Sequence, residues 1–228
     1  MKVKNNKNYI SVVIPTLNEE NNISKVISGV KESLKGHKFE IIVVDGHSSD
    51  NTVKIAKKTG ARILYENIGK GHALRIGFAS SKGNIIISMD ADMSHKPDEL
   101  ALLISGIETG YDICMGSRFI SGGGSDDMPP FRKFGNKIFV LLVNKLYGAH
   151  YTDLCYGYRS FTREAAKKLD LISDGFGIET EISVKARKKN LKTIEVPSFE
   201  KKRNSGTGKL LAFRDGYTIL KVILGNLS

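Results

Sequence analysis

Two aspartates one residue apart, Asp90 and Asp92, follow the apolar run NIIISM at residues 84–89. Carboxylate oxygens are the ligands that Mg²⁺ and Mn²⁺ prefer, and both ions commonly share such ligands with substrate phosphates. A pair at a strand end can hold a divalent cation against a diphosphate, where the ion acts as a Lewis acid on a departing group. On the residues alone a plainer reading stays open, with Asp90 capping the next helix and Asp92 solvated. Three more polar clusters follow apolar runs: residues 15–20 (PTLNEE), residues 45–50 (DGHSSD) and Gly116-Ser117-Arg118. Asp45 can accept hydrogen bonds from a base or ribose, whereas Asp50 suits capping of the helix expected from residue 51. Gly69-Lys70-Gly71 opens a stretch carrying His72 and Arg75. A phosphate there meets backbone N–H groups, the positive helix end and a Lys together.

The elements that must position these groups are short. Residues 9–14, 40–44, 61–65, 84–89 and 112–115 read as strands, several of them apolar on both faces as in a covered parallel sheet. Helices are expected between them over residues 22–34, 51–59, 71–79 and 97–109, the last with Pro97 in its first turn. Strand and helix in alternation imply an α/β fold, a doubly wound, mostly parallel sheet with helices on both faces. In such a sheet ligands bind beyond the carboxyl ends of the strands, where the polar clusters stand. The alternation then breaks at the loop 121–130 (SGGGSDDMPP). Beyond it follow an amphipathic helix over 132–147, a strand over 157–162, a helix over 178–189 and a strand over 191–196. A basic loop, 201–209, leads into an amphipathic segment at 210–227.

The chain of 228 residues carries 35 Lys and Arg against 24 Asp and Glu, a formal charge of +11 that favours phosphates or anionic headgroups. Nucleic acid is not expected as a partner, because no basic and aromatic recognition motif accompanies the charge. A Walker A loop and a GxGxxG after the first strand are both missing, so nucleotide hydrolase and dinucleotide readings lose their support. Cys114 and Cys155 lack metal-type spacing, and no signal peptide is apparent, so a reducing cytoplasm is the expected compartment. No apolar run approaches the roughly 20 residues that cross a bilayer, so membrane contact is expected to be peripheral, at the cytoplasmic face.

In this order and spacing the motifs resemble those of the inverting GT-A glycosyltransferases of the dolichyl-phosphate mannose synthase and polyprenyl-phosphate glycosyltransferase type. The resemblance runs from SVVIPTLNE at residues 11–19 through DGHSSD, Gly69-Lys70-Gly71 and Asp90-Ala91-Asp92 to GSRF at 116–119. It implies a GT-A catalytic domain over 1–209 with a C-terminal amphipathic helix or tail over 210–228. It further implies a nucleotide-sugar donor, Mg²⁺ or Mn²⁺, and transfer of a hexose to a polyprenyl or dolichyl phosphate. Pro15, Glu19 and Asp45 would line the nucleoside pocket, Lys70 and Asp90 would approach ribose and diphosphate, and Asp92 would be the principal metal ligand. Relatives usually carry a Gln two residues beyond the second aspartate; here Ser94 stands there, with His95 or water as substitute ligands.

Arg118 and Arg132 match arginines that bind acceptor phosphate in that family, a use suited to two guanidinium forks; Arg132 also reads as a solvated helix-start residue. Asp153 aligns with an acidic residue near the acceptor and would be the general base for a hydroxyl acceptor, whereas a phosphate acceptor needs none. Glu179 and Glu181 would reach donor hydroxyls, and Lys201, Lys202, Arg203 and Lys209 would cover the diphosphate. The run from Leu154 to Arg159 departs from the family's pattern, which leaves a soluble or polysaccharide acceptor as the alternative. A non-catalytic nucleotide-sugar-binding protein is the reading from another class. Phe134, Ile138, Phe139, Leu141, Leu142, Leu146 and Tyr147, edged by Arg132, Lys133, Lys137 and Lys145, read either as an interfacial face or as a core stripe.

Overall fold

The computed structural model describes residues 8–203 and 212–227, so Lys209 and the start of the C-terminal segment lie outside the described residues. The expected alternation is present: β1 (Tyr9–Thr16), α1 (Ile23–Ser33), β2 (Lys38–Asp45), α2 (Thr52–Lys58), β3 (Arg62–Tyr65), α3 (Lys70–Ser80), β4 (Ile85–Ser88), α4 (Leu100–Glu108) and β5 (Ile113–Ser117). Pro97 stands in a short 3-10 turn, Pro97–Glu99, that leads into α4. The later part supplies β6 (Gly124–Ser125), α5 (Pro130–Tyr147), β7 (Arg159–Thr162), α6 (Arg163–Lys168), α7 (Ile178–Lys188), β8 (Thr193–Pro197), β9 (Phe199–Glu200) and α8 (Ala212–Gly225).

Local chemistry explains most of the boundaries. Pro130 begins α5, where a missing N–H costs nothing, and Gly148 ends it in the left-handed conformation. Thr162 caps α6 by accepting from Ala165 N at 3.1 Å, a short helix that apolar periodicity alone does not reveal. Among the described residues seven strands form one sheet in the order β3-β2-β1-β4-β7-β5-β8. All neighbours run parallel except β7, which lies antiparallel between β4 and β5. A second, two-stranded sheet pairs β6 with β9, joining the loop after β5 to the segment after β8.

Two apolar layers sandwich the sheet. Ile10, Val12, Ile14, Ile85 and Ile87 face α1 and α4 on one side, while Val13, Ile42, Val44 and Ile86 face α3 and the later helices on the other. Alternate residues of β1 and β4 thus point to opposite cores, as a strand's period of two requires. Ile219 and Ile223 of α8 are buried in the second layer, so the expected helix or tail belongs to the main body.

Candidate active site

The carboxyl ends of β1, β4 and β5 open into a cavity of about 500 Å³, within the range for small-molecule sites. Pro15, Glu19, Lys70, Asp90, Asp92, Arg118 and Arg132 all line it. The strand run that places Asp90 is Ile-Ile-Ile-Ser, buried on both faces, and Met89 beyond it is buried too, so Asp90 and Asp92 are the first acidic residues past the strand.

Lys70 joins two carboxylates on one wall of the cavity. Its Nζ reaches Asp90 Oδ1 at 2.8 Å and Glu179 Oε1 at 2.9 Å. Burial works against the ammonium, but Asp90 and then Glu179 outweigh it and raise Lys70 above its ordinary value. Burial likewise pushes the Asp90 carboxyl up, and Lys70, seconded by His95, holds it at about 2. Asp90 is therefore a permanent anion at neutral pH. Asp92 is differently held: its Oδ1 accepts from Ser94 N at 3.0 Å, and its Oδ2 lies 3.6 Å from Arg203 Nη1. Arg203 also donates to Asp127 Oδ2 at 3.2 Å, drawing the loop after β5 toward the aspartates.

His95 is buried and does not line the cavity. Asp90 N donates to its Nδ1 at 3.0 Å, which places the ring proton on Nε2, and the ring is sandwiched against Tyr158 and edge-on to Tyr156. Burial lowers its pKa, so the ring is neutral and serves as a buried prop for Asp90. Ser94 does line the cavity. Among the described residues no group of three or more His, Cys, Asp or Glu can hold a metal by itself. Asp90 and Asp92 fit Mg²⁺ or Mn²⁺ bound jointly with a diphosphate, since such ions take one or two carboxylates and complete their shell with phosphate and water.

Across the cavity, a second cluster is built around Arg118. Its Nε and Nη2 form a bidentate pair with Asp153 Oδ2 and Oδ1 at 2.7 and 2.9 Å, and its Nη1 meets both oxygens of Glu200 at 3.1 Å. The guanidinium lies 4.6 Å over the Tyr156 ring. Asp153 is buried behind Arg118 and does not line the cavity. Its carboxylate is engaged by the guanidinium, so it stands as a support for Arg118 and not within reach of an attacking hydroxyl.

Three other expected contacts differ from what is observed. Asp45 is fully buried, and its carboxylate accepts from Ser48 N and Ser48 Oγ at 2.8 and 2.6 Å, so it braces the β2 turn instead of lining the cavity. The N–H groups of Gly71 and His72 do not wait for a phosphate: both donate to the carbonyl of Asp174, at 2.8 and 3.1 Å. Glu181 accepts from Ile172 N and Ser173 N and pairs with Lys185, so it holds that same segment and no donor hydroxyl. Asp50 does cap α2, accepting from Thr52 N at 2.9 Å.

Several cavity residues carried no motif. Glu66 follows β3 and accepts from Ile68 N and Gly69 N at 2.7 and 2.8 Å. Asn136 of α5 accepts from Leu154 N and Cys155 N at 3.2 and 3.3 Å, fixing the turn that carries Asp153. Arg159 is fully buried and donates to the carbonyls of Leu154, Tyr156 and Glu179, locking that turn to α7. Burial pushes the Cys155 thiol, also on the cavity wall, up to about 12, which removes it as a nucleophile. The acid and amide among these were legible only as polar residues in apolar surroundings.

The seven-stranded sheet with the cavity at its carboxyl ends has the GT-A fold. Its fold matches that of glucosyl-3-phosphoglycerate synthase from Mycobacterium tuberculosis, solved with Mn²⁺, UDP and glucosyl-3-phosphoglycerate. The TM-score is 0.75 at 22% identity, covering 96% of this chain and 80% of that one. The chain belongs to glycosyl transferase family 2, whose model matches residues 11–170. It is 31% identical over 215 residues to the glycosyltransferase AglJ of Haloferax volcanii, covering 91% of this chain and 68% of that protein. It is 32% identical over 210 residues to the dolichol-phosphate mannosyltransferase of Pyrococcus furiosus, covering 88% of this chain and 59% of that protein.

Proposed function

We propose that this glycosyltransferase moves a hexose from a GDP- or UDP-sugar to a polyprenyl or dolichyl phosphate, with inversion and with Mg²⁺ or Mn²⁺. The observation that carries the reading is the shared cavity, which sets Lys70, Asp90 and Asp92 against Arg118 and Arg132. The first group suits a nucleoside diphosphate and its cation, the second a phosphate monoester. The dolichol-phosphate mannosyltransferase relative supports such an acceptor.

In this reading the acceptor oxygen attacks the anomeric carbon from the face opposite the diphosphate. A carbon–oxygen bond forms there as the bond to the diphosphate breaks, and configuration inverts. Asp92 and Asp90 would hold a divalent cation, which when bound would supply Lewis-acid stabilisation of the leaving diphosphate. Lys70 keeps Asp90 ionised, and Pro15 and Glu19 stand on the wall suited to the nucleoside. Asp153 holds Arg118 toward the acceptor, and a phosphate nucleophile needs no base. Exposed Phe134, Ile138, Leu141 and Leu146 on α5, beside exposed Lys133, Lys137 and Lys145, suit a peripheral membrane surface where such a lipid resides.

The test measures nucleoside diphosphate release from a panel of GDP- and UDP-sugars, with and without a polyprenyl phosphate and with and without Mn²⁺. Turnover is expected to need both the lipid phosphate and the metal, and Asp92→Asn to lose roughly 100-fold or more, since a neutral amide is a poor ligand for a hard cation. Turnover by the wild type in chelator, or preference for a soluble hydroxyl acceptor, would overturn it.

A further inference from the structure

The Arg118 cluster contains an excess of negative charge in the very place assigned to an anionic acceptor. Asp153 and Glu200 put two carboxylates on one guanidinium, and both Glu200 oxygens face the same Nη1 at 3.1 Å. The two carboxylates are not equivalent. Asp153 is buried behind the arginine, whereas Glu200 lines the cavity itself, on the open side. Glu200 also accepts from Ser125 Oγ and belongs to β9, which among the described residues pairs with β6 alone. It therefore stands on the small two-stranded ribbon and not on the main sheet, where backbone shifts are cheapest.

A phosphate that enters beside Arg118 must face Glu200 across a partly desolvated gap, where like charges repel strongly. Arg118 can take phosphate on its Nη1 edge only as Glu200 gives it up. We propose that Glu200 is an internal stand-in for the acceptor phosphate, a positioning residue that holds Arg118 in the empty site and is displaced from it by the acceptor's phosphate monoester. This rests on the acceptor reading above. The arrangement keeps Arg118 oriented without an acceptor and sets a threshold against weaker anions, because an incoming ligand must outcompete a carboxylate already in place. Asp153 keeps two of the guanidinium's donors throughout.

Glu200→Gln keeps the size and one acceptor atom of the side chain but removes the charge that competes with phosphate. Charge-assisted hydrogen bonds are roughly twice as strong as neutral ones, so the expected result is a fall of roughly three- to tenfold in KM for a short-chain prenyl phosphate. The nucleoside diphosphate affinity, read by calorimetry, is expected to stay the same. Inorganic phosphate, tested as a competitor of the prenyl phosphate, is expected to inhibit the variant at lower concentration than the wild type, which separates recognition of the phosphate from recognition of the lipid. An unchanged or raised acceptor KM in Glu200→Gln, with unfolding midpoint retained, would overturn the proposal and make Glu200 an ordinary structural partner. Arg118→Lys measured alongside separates the two readings. If it impairs acceptor use while Glu200→Gln tightens nothing, only the stand-in role falls; if it leaves acceptor KM untouched, the acceptor reading falls with it.

Discussion

At the scale of single residues, the site is a set of charges that stay ionised against burial because each has a partner of opposite sign. Lys70 stands between two carboxylates, and removing it leaves Asp90 and Glu179 facing each other in a partly buried cavity. In the wild type the Asp90 carboxyl is depressed to about 2, so its stabilising contribution is present above the ordinary carboxylate range and is lost only as pH falls toward that value. In Lys70→Met the largest influence that opposes burial is gone, so the carboxyl moves up and its ionised form contributes less stability at neutral pH. The variant is expected to lose about 3 kcal/mol at pH 7, the scale for removing one partner of a buried pair. The gap from the wild type is expected to narrow as pH falls. Urea denaturation across pH checks this; a gap that stays constant into the acid range would mean that Lys70 does not set the ionisation of Asp90.

At the scale of elements, α3 is held at its N-terminus by the 172–174 segment, which Glu181 in turn holds from α7. The fit is close enough to dictate glycine. A Cβ at Gly71 would stand 2.3 Å from Ser173 O and 2.8 Å from Asp174 C, both backbone atoms that cannot rotate away. Gly71→Ala is therefore expected to push the segment off α3 and to shift Phe176 and Glu179, both on the cavity wall, away from Lys70. A loss of tenfold or more in nucleoside diphosphate affinity is expected, with a stability loss of about 1–3 kcal/mol as for other overpacked sites. Calorimetric titration and thermal unfolding of the same sample check both. Full donor affinity in Gly71→Ala would show that the segment only caps the helix.

At the scale of the whole molecule, α5 and α8 pack against each other and leave one apolar face uncovered. Phe134 and Leu141 are each 67% exposed and Tyr217 is 61% exposed, whereas Phe139 is partly buried and packs on the core. Among the described residues no helix is long and apolar enough to cross a membrane. A peripheral mode combines insertion of such side chains with basic groups worth about 1 kcal/mol each near an anionic surface, the second part screened by salt. The protein is expected to sediment with anionic vesicles at low salt and to lose part of that binding as salt rises. Phe134→Ser with Leu141→Ser is expected to lose most of the remainder with unfolding unchanged, because both side chains already face solvent. Sedimentation of the double variant equal to wild type at every salt concentration would exclude this face.

The polar residues that line the cavity at the ends of β4 and β5 were legible from local pattern. Asp90 and Asp92 follow a run apolar on both faces, and Gly116-Ser117-Arg118 follows another, so a covered strand and the polar residues just beyond it could be read without knowing any partner. Strand, helix and strand in alternation implied the sheet, because side-chain period depends only on neighbours in the chain. The place of β7 could not be read that way. Arg159–Thr162 runs antiparallel between β4 and β5 because of pairings 44 to 77 residues distant in sequence, which no local period encodes. The same holds for the states of the polar groups. Asp153 and the α3 N-terminus have the right residue types for ligands, yet tertiary contacts with Arg118 and Asp174 engage their hydrogen-bonding groups, while Asp45 is engaged locally by Ser48 in the turn after β2. Glu200 carried no motif and meets Arg118 only through the β6–β9 ribbon. Residue type and local period thus determined which groups reach the strand ends, while long-range packing decided which of them remain open to a ligand, because a charge in a partly buried site is defined by the partner that the fold brings to it.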